Sequence, residues 1–300
     1  MSQPEQYNDE IDLREILKVI WNEKKQIFKV TLFFTSVSLV FSLLLTNYYK
    51  SESLLYARSS SQNQSMISQY SGLASLAGIS LPSSGEDKVQ EVIEIIKSRR
   101  FVKHLITFEG VLPSIISPKS FDKQTGNLNF DEDEYDIEKG QWIIEQPTYI
   151  EAHEIYKNNL VNISQNKATG FITIEVEHIS PVFAKEFLDL IIREANELQR
   201  TRDMENSSDA IKYLKTEFSK TSLVEMKDSI SSMLESQLET QMLTQINEDY
   251  ILVEIDPPFV SEKKSRPSRA LIIIIGTILG GILSSLSVLV RYYYLGDNEI

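Results

Sequence analysis

Cysteine is absent from the 300-residue chain. That absence excludes disulfide frameworks, thiolate nucleophiles and Cys-ligated zinc or iron–sulfur sites. Positive charge is scarce as well: 30 Lys and Arg stand against 43 Asp and Glu, a formal net charge of -13. A polyanion partner needs a basic surface that releases its counterions, so nucleic acid is not an expected partner. The 3 histidines, His104, His153 and His178, are far apart and fall in no H-x-x-x-H or H-E-x-x-H spacing. No G-x-x-x-x-G-K-[ST] phosphate loop, G-x-G-x-x-G turn or G-x-S-x-G elbow occurs. The acidic run Asp131, Glu132, Asp133, Glu134, Asp136, Glu138 mimics the start of a calcium loop. Its sixth position is Asp136, where that loop needs a glycine for its turn, so a solvated charged loop is expected. No metal, no cofactor and no catalytic residue is expected.

What the chain does have is 42% hydrophobic residues, concentrated near its two ends. Ile27–Leu45 is a 19-residue apolar run interrupted only by Lys29, and Ala270–Val290 is 21 residues without a charge. At 1.5 Å per residue each spans a hydrocarbon layer of roughly 30 Å. Lys29 is near enough to the end of its run to carry its ammonium back to the headgroups. No small-x-small cleavage pattern follows the first run, which reads as an uncleaved anchor. The expected organisation is a cytoplasmic segment 1–26, a transmembrane helix 27–45, an outer domain 46–269, a second transmembrane helix 270–290 and a cytoplasmic tail 291–300. Arg14, Lys18, Lys24, Lys25 and Lys29 precede or open the first run, whereas Lys263, Lys264, Arg266 and Arg269 precede the second. These two biases oppose each other. The first helix usually dominates, and long loops cross largely regardless of charge, so both termini are assigned to the cytoplasm.

Spacing adds a packing expectation within the membrane. Thr31, Thr35, Ser38 and Ser42 share one narrow face of the first helix, and Gly276, Gly280, Ser284 and Ser287 form a similar strip on the second. Lipid tails gain nothing from small side chains, whereas another helix can approach the backbone closely there. These eight residues are the expected transmembrane packing site. Tyr292–Tyr294 reads as an interfacial aromatic belt.

Between the spans the pattern is α+β. Ser51–Ala57 reads as a short strand, followed by a Ser/Gln-rich loop. Val89, Val92, Ile93 and Ile96 take helical spacing from Glu86 onward. Leu160–Gln165 and Phe171–His178 alternate, joined by Asn166–Gly170, which predicts a β-hairpin. Ser180-Pro181 opens a helical pattern that persists through Phe187, Ile191, Ile211, Leu214, Phe218, Ile230, Met233 and Leu238 to Ile246. Asn206–Asp209 and Ser219–Ser222 are its expected breaks. Ile251, Val253 and Ile255 alternate in a last strand that Pro257-Pro258 ends. The expected architecture is a membrane-proximal mixed sheet with a long helical extension. The apolar stripe of that extension must either meet other copies of the chain or fold back on its own subunit.

The order of several motifs resembles the polysaccharide chain-length determinants, the Wzz-type polysaccharide co-polymerases. Ile11–Leu17 with Trp21 and Lys24-Lys25 is similar to the family's segment before its first span. Tyr48–Glu52 resembles the exit from that span. Gly72–Ile79 (GLASLAGI), Asp87-Lys88 and Glu94–Arg99 are the most distinctive internal match. Ala210–Leu214 and Gln237–Leu243 resemble its later helices. Pro257, Pro258 and the stretch Ser265–Leu271, with Pro267, resemble its proline-rich entry to the second span, although the family often has more prolines where Arg266-Pro267 stands. The resemblance implies a ring-like homo-oligomer in the bacterial inner membrane with a periplasmic middle domain. It implies, further, a non-enzymatic role. The protein would set the chain length of O-antigen or a related lipopolysaccharide or capsule, acting on the growing polysaccharide with an integral-membrane polymerase. An export adaptor working with an outer-membrane channel is the alternative. Larger relatives carry a tyrosine-kinase domain after the second span. Only ten residues follow Val290 here, so none is expected.

Overall fold

A computed structural model describes residues 13–58, 85–246 and 249–295. The Ser/Gln-rich loop and the GLASLAGI motif lie outside the described residues. The chain divides into two compact units, Met1–Asn47 with Ser265–Ile300, and Tyr48–Lys264.

The first unit is helical. Helix α1 spans Leu13–Asn22 and α2 spans Lys24–Leu44. The C-terminal helix of the unit, Arg269–Leu295, is the last of the chain. Lys24–Leu44 (21 residues) and Arg269–Tyr293 (25 residues) are long and apolar enough to cross a membrane. Their flanks are mostly exposed, Phe33 at 65% and Ile278 at 55% among them, as side chains that meet lipid would be.

The second unit is α+β. Strand β1 covers Tyr48–Ala57, three residues longer at its start than the sequence pattern indicates. Helices α3 (Gly85–Lys97), α4 (Arg99–Leu105) and α5 (Val111–Ile116) follow, with Ser98 capping α4 by accepting from Phe101 N. Two small ribbons come next, β2 (Pro118–Phe121) with β3 (Leu128–Phe130), and β4 (Tyr135–Asp136) with β5 (Gln141–Trp142). Helix α6 (Tyr149–Ile155) opens on a Thr148/Glu151 capping box and leads through a π turn into β6 (Val161–Gln165). Strand β7 (Ile172–His178) then pairs back on β6, from Val161 opposite Val176 to Gln165 opposite Ile172. Its turn uses Gly170 at φ 76°, while Asn166 Oδ1 accepts from the N–H groups of Ala168 and Thr169.

Helix α7, Pro181–Lys220, is 40 residues without interruption, about 60 Å. Ser180 caps it, accepting from Phe183 N, and Pro181 occupies the first turn, where no partner for an N–H is needed. The expected break at Asn206–Asp209 does not occur. Ser207 is buried there, and its hydroxyl donates to Met204 O at 3.0 Å inside the helix. The break falls at Thr221–Leu223, after which α8 (Val224–Ile246) returns along α7. Leu214 of α7 packs with Ile230, Met233 and Leu234 of α8. Packing between two helices overrides the turn propensity of Asn206–Asp209, because a kink would pull the two helices apart and a weak local preference cannot offset that. The stripe thus folds back within the subunit. It is not fully covered: Leu223 and Val224 at the hairpin tip are 60% and 67% exposed, and Met242 and Ile246 are 59% and 71%.

Strand β8 (Leu252–Asp256) follows β1 in the path β6-β7-β1-β8 of a five-stranded sheet. All three of these pairings are antiparallel, so the mixed sheet expected from the sequence is antiparallel across these four strands. For β6 and β7 the reason is local, since they form a tight hairpin and antiparallel neighbours need no crossover helix between them. One sheet face meets the first turns of α7. Leu55, Ile172, Ile174, Val176 and Leu252 form a common core there with Ala184, Phe187, Leu188, Ile191 and Ala195, closed by Ile96, Phe101, Leu105 and Tyr156. Asn196, buried on α7, grips β8 with three hydrogen bonds. Its Nδ2 donates to Leu252 O at 2.9 Å, and its Oδ1 accepts from Ile251 N at 3.0 Å and Leu252 N at 2.8 Å.

The end of β7 holds a second buried polar group. Ser180 N donates to His178 Nδ1 at 3.1 Å, so the proton sits on Nε2, which donates to Ser114 O at 2.9 Å. Burial pushes the imidazole from 6.5 down to about 4. The unfolded chain therefore takes up a proton near pH 6.5 and the native state only near pH 4, so stability is intact above this window and falls across it as pH is lowered. At about 1.4 kcal/mol per pKa unit the loss by pH 4 is on the order of 3 kcal/mol. Urea unfolding of the full chain in detergent should show this decline between pH 7 and pH 4.5, and His178→Gln should flatten it. Equal declines in the two proteins would contradict the assignment.

Candidate functional site

The helices α2 and Arg269–Leu295, here α9, pack along most of their length. On α2 the covered face carries Thr31, Phe34, Thr35, Ser38 and Ser42, and Ser42 is fully buried. On α9 it carries Gly276, Thr277, Gly280, Gly281, Ser284 and Val288. The contact is close because the glycines leave room. A Cβ on Gly280 would stand 2.6 Å from Phe34 Cβ and 3.4 Å from Thr31 Cα. A Cβ on Gly276 would overlap Ser38 Oγ and stand 2.6 Å from Ser38 Cβ. Real side chains essentially never come so near, so only glycine permits this separation of the two backbones.

Ser287 departs from the expected strip, for it is exposed while Val288 is 3% exposed. The covered seam on α9 follows the i+4 ridge from Gly276 through Gly280 and Ser284 to Val288, and a step of three residues leaves that ridge.

The polar contacts of the pair are few. Thr35 Oγ1 and Thr277 Oγ1 are 3.0 Å apart, and each also reaches the carbonyl four residues earlier, Thr31 O at 2.9 Å and Ile273 O at 2.8 Å. Two hydroxyl protons cannot serve three bonds, so one hydroxyl donates across to the other helix and the other donates within its own. Ser284 Oγ donates to Gly281 O at 3.1 Å, whereas the hydroxyls of Thr31 and Ser42 are buried without a hydrogen-bond partner. Arg269 Nη2 donates to Asn47 Oδ1 at 3.2 Å, joining the start of α9 to the residues just past α2. Thr277, Phe34 and this Arg269–Asn47 bond escaped the sequence reading. The signal for Thr277 was a hydroxyl in an otherwise aliphatic stretch, but a strip of small residues alone did not reach it.

The proline positions are spread out. Pro257 is exposed and Pro258 buried, just after β8, while Pro267 is half-buried and follows a cis Arg266–Pro267 bond.

Elsewhere among the described residues the polar side chains pair mainly within the fold. His104 pairs with Glu194 Oε2 at 2.8 Å and His153 with Lys97 O at 2.9 Å, each on a different element from His178. Among the described residues no His, Asp or Glu group is disposed to hold a metal. The acidic run is folded on itself: Lys119 pairs with Asp131 at 3.2 Å and Lys139 with Asp136 at 2.7 Å. The Asp131 carboxyl is held below its ordinary value first by the Asp133 backbone N–H, and that of Asp136 first by the Lys139 side chain.

Residues 9–108, which contain α1, α2, β1, α3 and α4, match the family model "Wzz: Chain length determinant protein". Over this stretch, a third of its length, the chain is similar to the Wzz family. Tyrosine-protein kinase etk of Escherichia coli (strain K12) is 30% identical over 115 residues, 38% of this chain and 14% of the kinase. The same kinase of Escherichia coli O157:H7 is 31% identical over 115 residues, with the same shares. The chain thus spans only 14% of the length of these curated relatives. A solved full-length bacterial polysaccharide co-polymerase is similar over 96% of this chain and 100% of its own, at 11% identity and a TM-score of 0.48. The Wzz match includes all of α2 and none of α9, so the glycine face of α9 lies outside the matched residues.

Gly280→Leu should force α2 and α9 apart, since its Cβ alone collides with Phe34, at a cost of about 1–3 kcal/mol or more. Thr35→Cys with Thr277→Cys should form a disulfide in this cysteine-free chain. Adding Gly280→Leu should cut its yield severalfold, while Ile274→Leu, on the exposed flank, should leave it unchanged. Undiminished cross-linking with Gly280→Leu would show that the pair does not need the close approach.

Proposed function

We propose that this protein regulates the chain length of a surface polysaccharide from the bacterial inner membrane, as a homo-oligomeric co-polymerase acting with an integral-membrane polymerase. The observation that carries the reading is the Wzz match over residues 9–108 in a chain whose two candidate spans bracket an α+β unit. Self-association is supported by the α7–α8 hairpin, whose tip residues Leu223 and Val224 are 60% and 67% exposed. Adjacent exposed apolar side chains of this kind offer a surface that a second copy of the chain could cover. In this reading the role is non-enzymatic, one of binding and assembly, and what supports it is the likeness to the Wzz chain length determinants.

The same reading places segments 1–26 and 291–300 in the cytoplasm, the spans at 27–45 and 270–290, and the domain 46–269 in the periplasm. The O-antigen or a related polysaccharide of the lipopolysaccharide or capsule is its growing substrate chain.

Deleting the gene should abolish the modal cluster of surface polysaccharide on a gel without abolishing export, and the wild-type chain should restore it. A Leu223→Glu, Val224→Glu double variant should sediment as a smaller species in detergent and fail to restore the cluster. Loss of export in place of loss of the cluster would overturn the regulator reading. For the topology, alkaline phosphatase fused after Asp256 should be active. An inactive fusion there, with an active one after Ile300, would reverse the orientation.

A further inference from the structure

The N-terminal helix α1 carries more apolar surface than its neighbours cover. It packs against both α2 and α9, and its Val19 is buried at 8% exposed, with Ile16 and Ile20 half-buried. Beyond these the apolar arc continues around the helix to Leu17 and Trp21, which are 67% and 71% exposed. Lys18, Asn22 and Glu23 are exposed polar neighbours. A ten-residue helix with one edge of its apolar arc packed on protein and the other edge bare needs a second apolar phase.

That phase lies next to it. A single residue, Glu23, separates α1 from α2, and the flank of α2 that follows is open too, with Phe28 67% and Leu32 54% exposed. The bare edge of α1 is therefore continuous along the chain with the lipid-facing flank of a candidate span. The polar groups beside it fit the boundary of a bilayer. Lys24 Nζ stands 4.9 Å from the centroid of the Trp21 ring, and Lys25 is exposed alongside. A ring under an ammonium, with its indole N–H free to meet headgroups, is the amphipathic arrangement that an interface favours. Ammonium groups at this level also attract anionic headgroups.

We propose that α1 is an in-plane interfacial helix, packed on the membrane pair through Val19 and inserting Leu17 and Trp21 into the headgroup–acyl boundary of the bilayer. Its partner is the lipid surface rather than a second protein chain. The inference rests on reading α2 and α9 as membrane spans and would tie the cytoplasmic start of that pair to the membrane plane.

The test uses the full chain in proteoliposomes. Trp142→Phe leaves Trp21 as the one tryptophan, because the chain has 2. Lipids brominated high on the acyl chain should quench its emission strongly, and lipids brominated near the chain end weakly, with aqueous acrylamide ineffective. Should Trp142→Phe fail to fold, the shallow-bromine quenching of the wild type should disappear in Trp21→Phe. Acrylamide quenching equal to that of an exposed tryptophan would overturn the proposal. Protection from both acrylamide and bromolipid would overturn it equally, by showing that protein covers the face. Flotation of the proteoliposomes separates this failure from that of the spans: a chain that does not float refutes the spans, and one that floats without bromine quenching refutes α1 alone.

Discussion

The packing of the first turns of α7 on the antiparallel sheet is the interaction on which the Tyr48–Lys264 unit depends. Ala184, Phe187, Leu188, Ile191 and Ala195 are buried against Leu55, Ile172, Ile174, Val176 and Leu252. At roughly 25 cal/mol per Å² of apolar surface, a cluster of this size supplies most of what holds the helix in place. The inner face of β1 explains how close the helix comes. Ser51 and Ser53 are buried there between Tyr49 and Leu55, and Ser53 Oγ donates to Asp256 O at 2.8 Å. Asn196 then ties the same helix to β8 through backbone groups that would otherwise be buried without partners.

Just past Asn196 the helix still meets α3, where Arg202 pairs with Glu91 at 2.6 Å, and Tyr250, which donates to Asp203 at 2.7 Å. Farther on it packs against α8. Here the packing is thinner, a small cluster around Leu214, Ile230 and Met233, and polar Ser207 on α7 and Gln237 and Thr244 on α8 are buried as well. One end of α7 is thus held by a full core and the other by a single neighbouring helix. The second part also leaves Leu223, Val224, Met242 and Ile246 exposed.

The two candidate spans would follow different physics in a bilayer. Water would be excluded from their flanks, so burial of apolar surface would give no preference for helix over lipid. Close approach takes its place: Gly276 and Gly280 admit Ser38 and Phe34 to distances that any Cβ would forbid. The Thr35–Thr277 contact adds a directional bond, and Arg269 with Asn47 adds another at the end of the pair. α1 extends the same helical unit with a face suited to the boundary between the two solvents.

The sequence by itself determined the elements whose pattern is carried by consecutive residues. The two apolar runs, the 161–178 hairpin and the start of α7 at Ser180-Pro181 follow from hydropathy, alternation and capping, which act over a few neighbouring residues. The small-residue strips were legible for the same reason, as spacing on one helix. Tertiary structure decided what depends on residues far apart. The helix runs through Asn206–Asp209 because α8 packs beside it, and no local pattern records that neighbour. Ser287 leaves the membrane seam, and Thr277 joins it, because the contact follows a ridge set by the partner helix. Asn196 and His178 were unremarkable polar letters until the fold buried them against backbone groups many residues away. Burial turns an ordinary hydrogen-bonding side chain into a structural one, and burial is a property of the assembled chain alone.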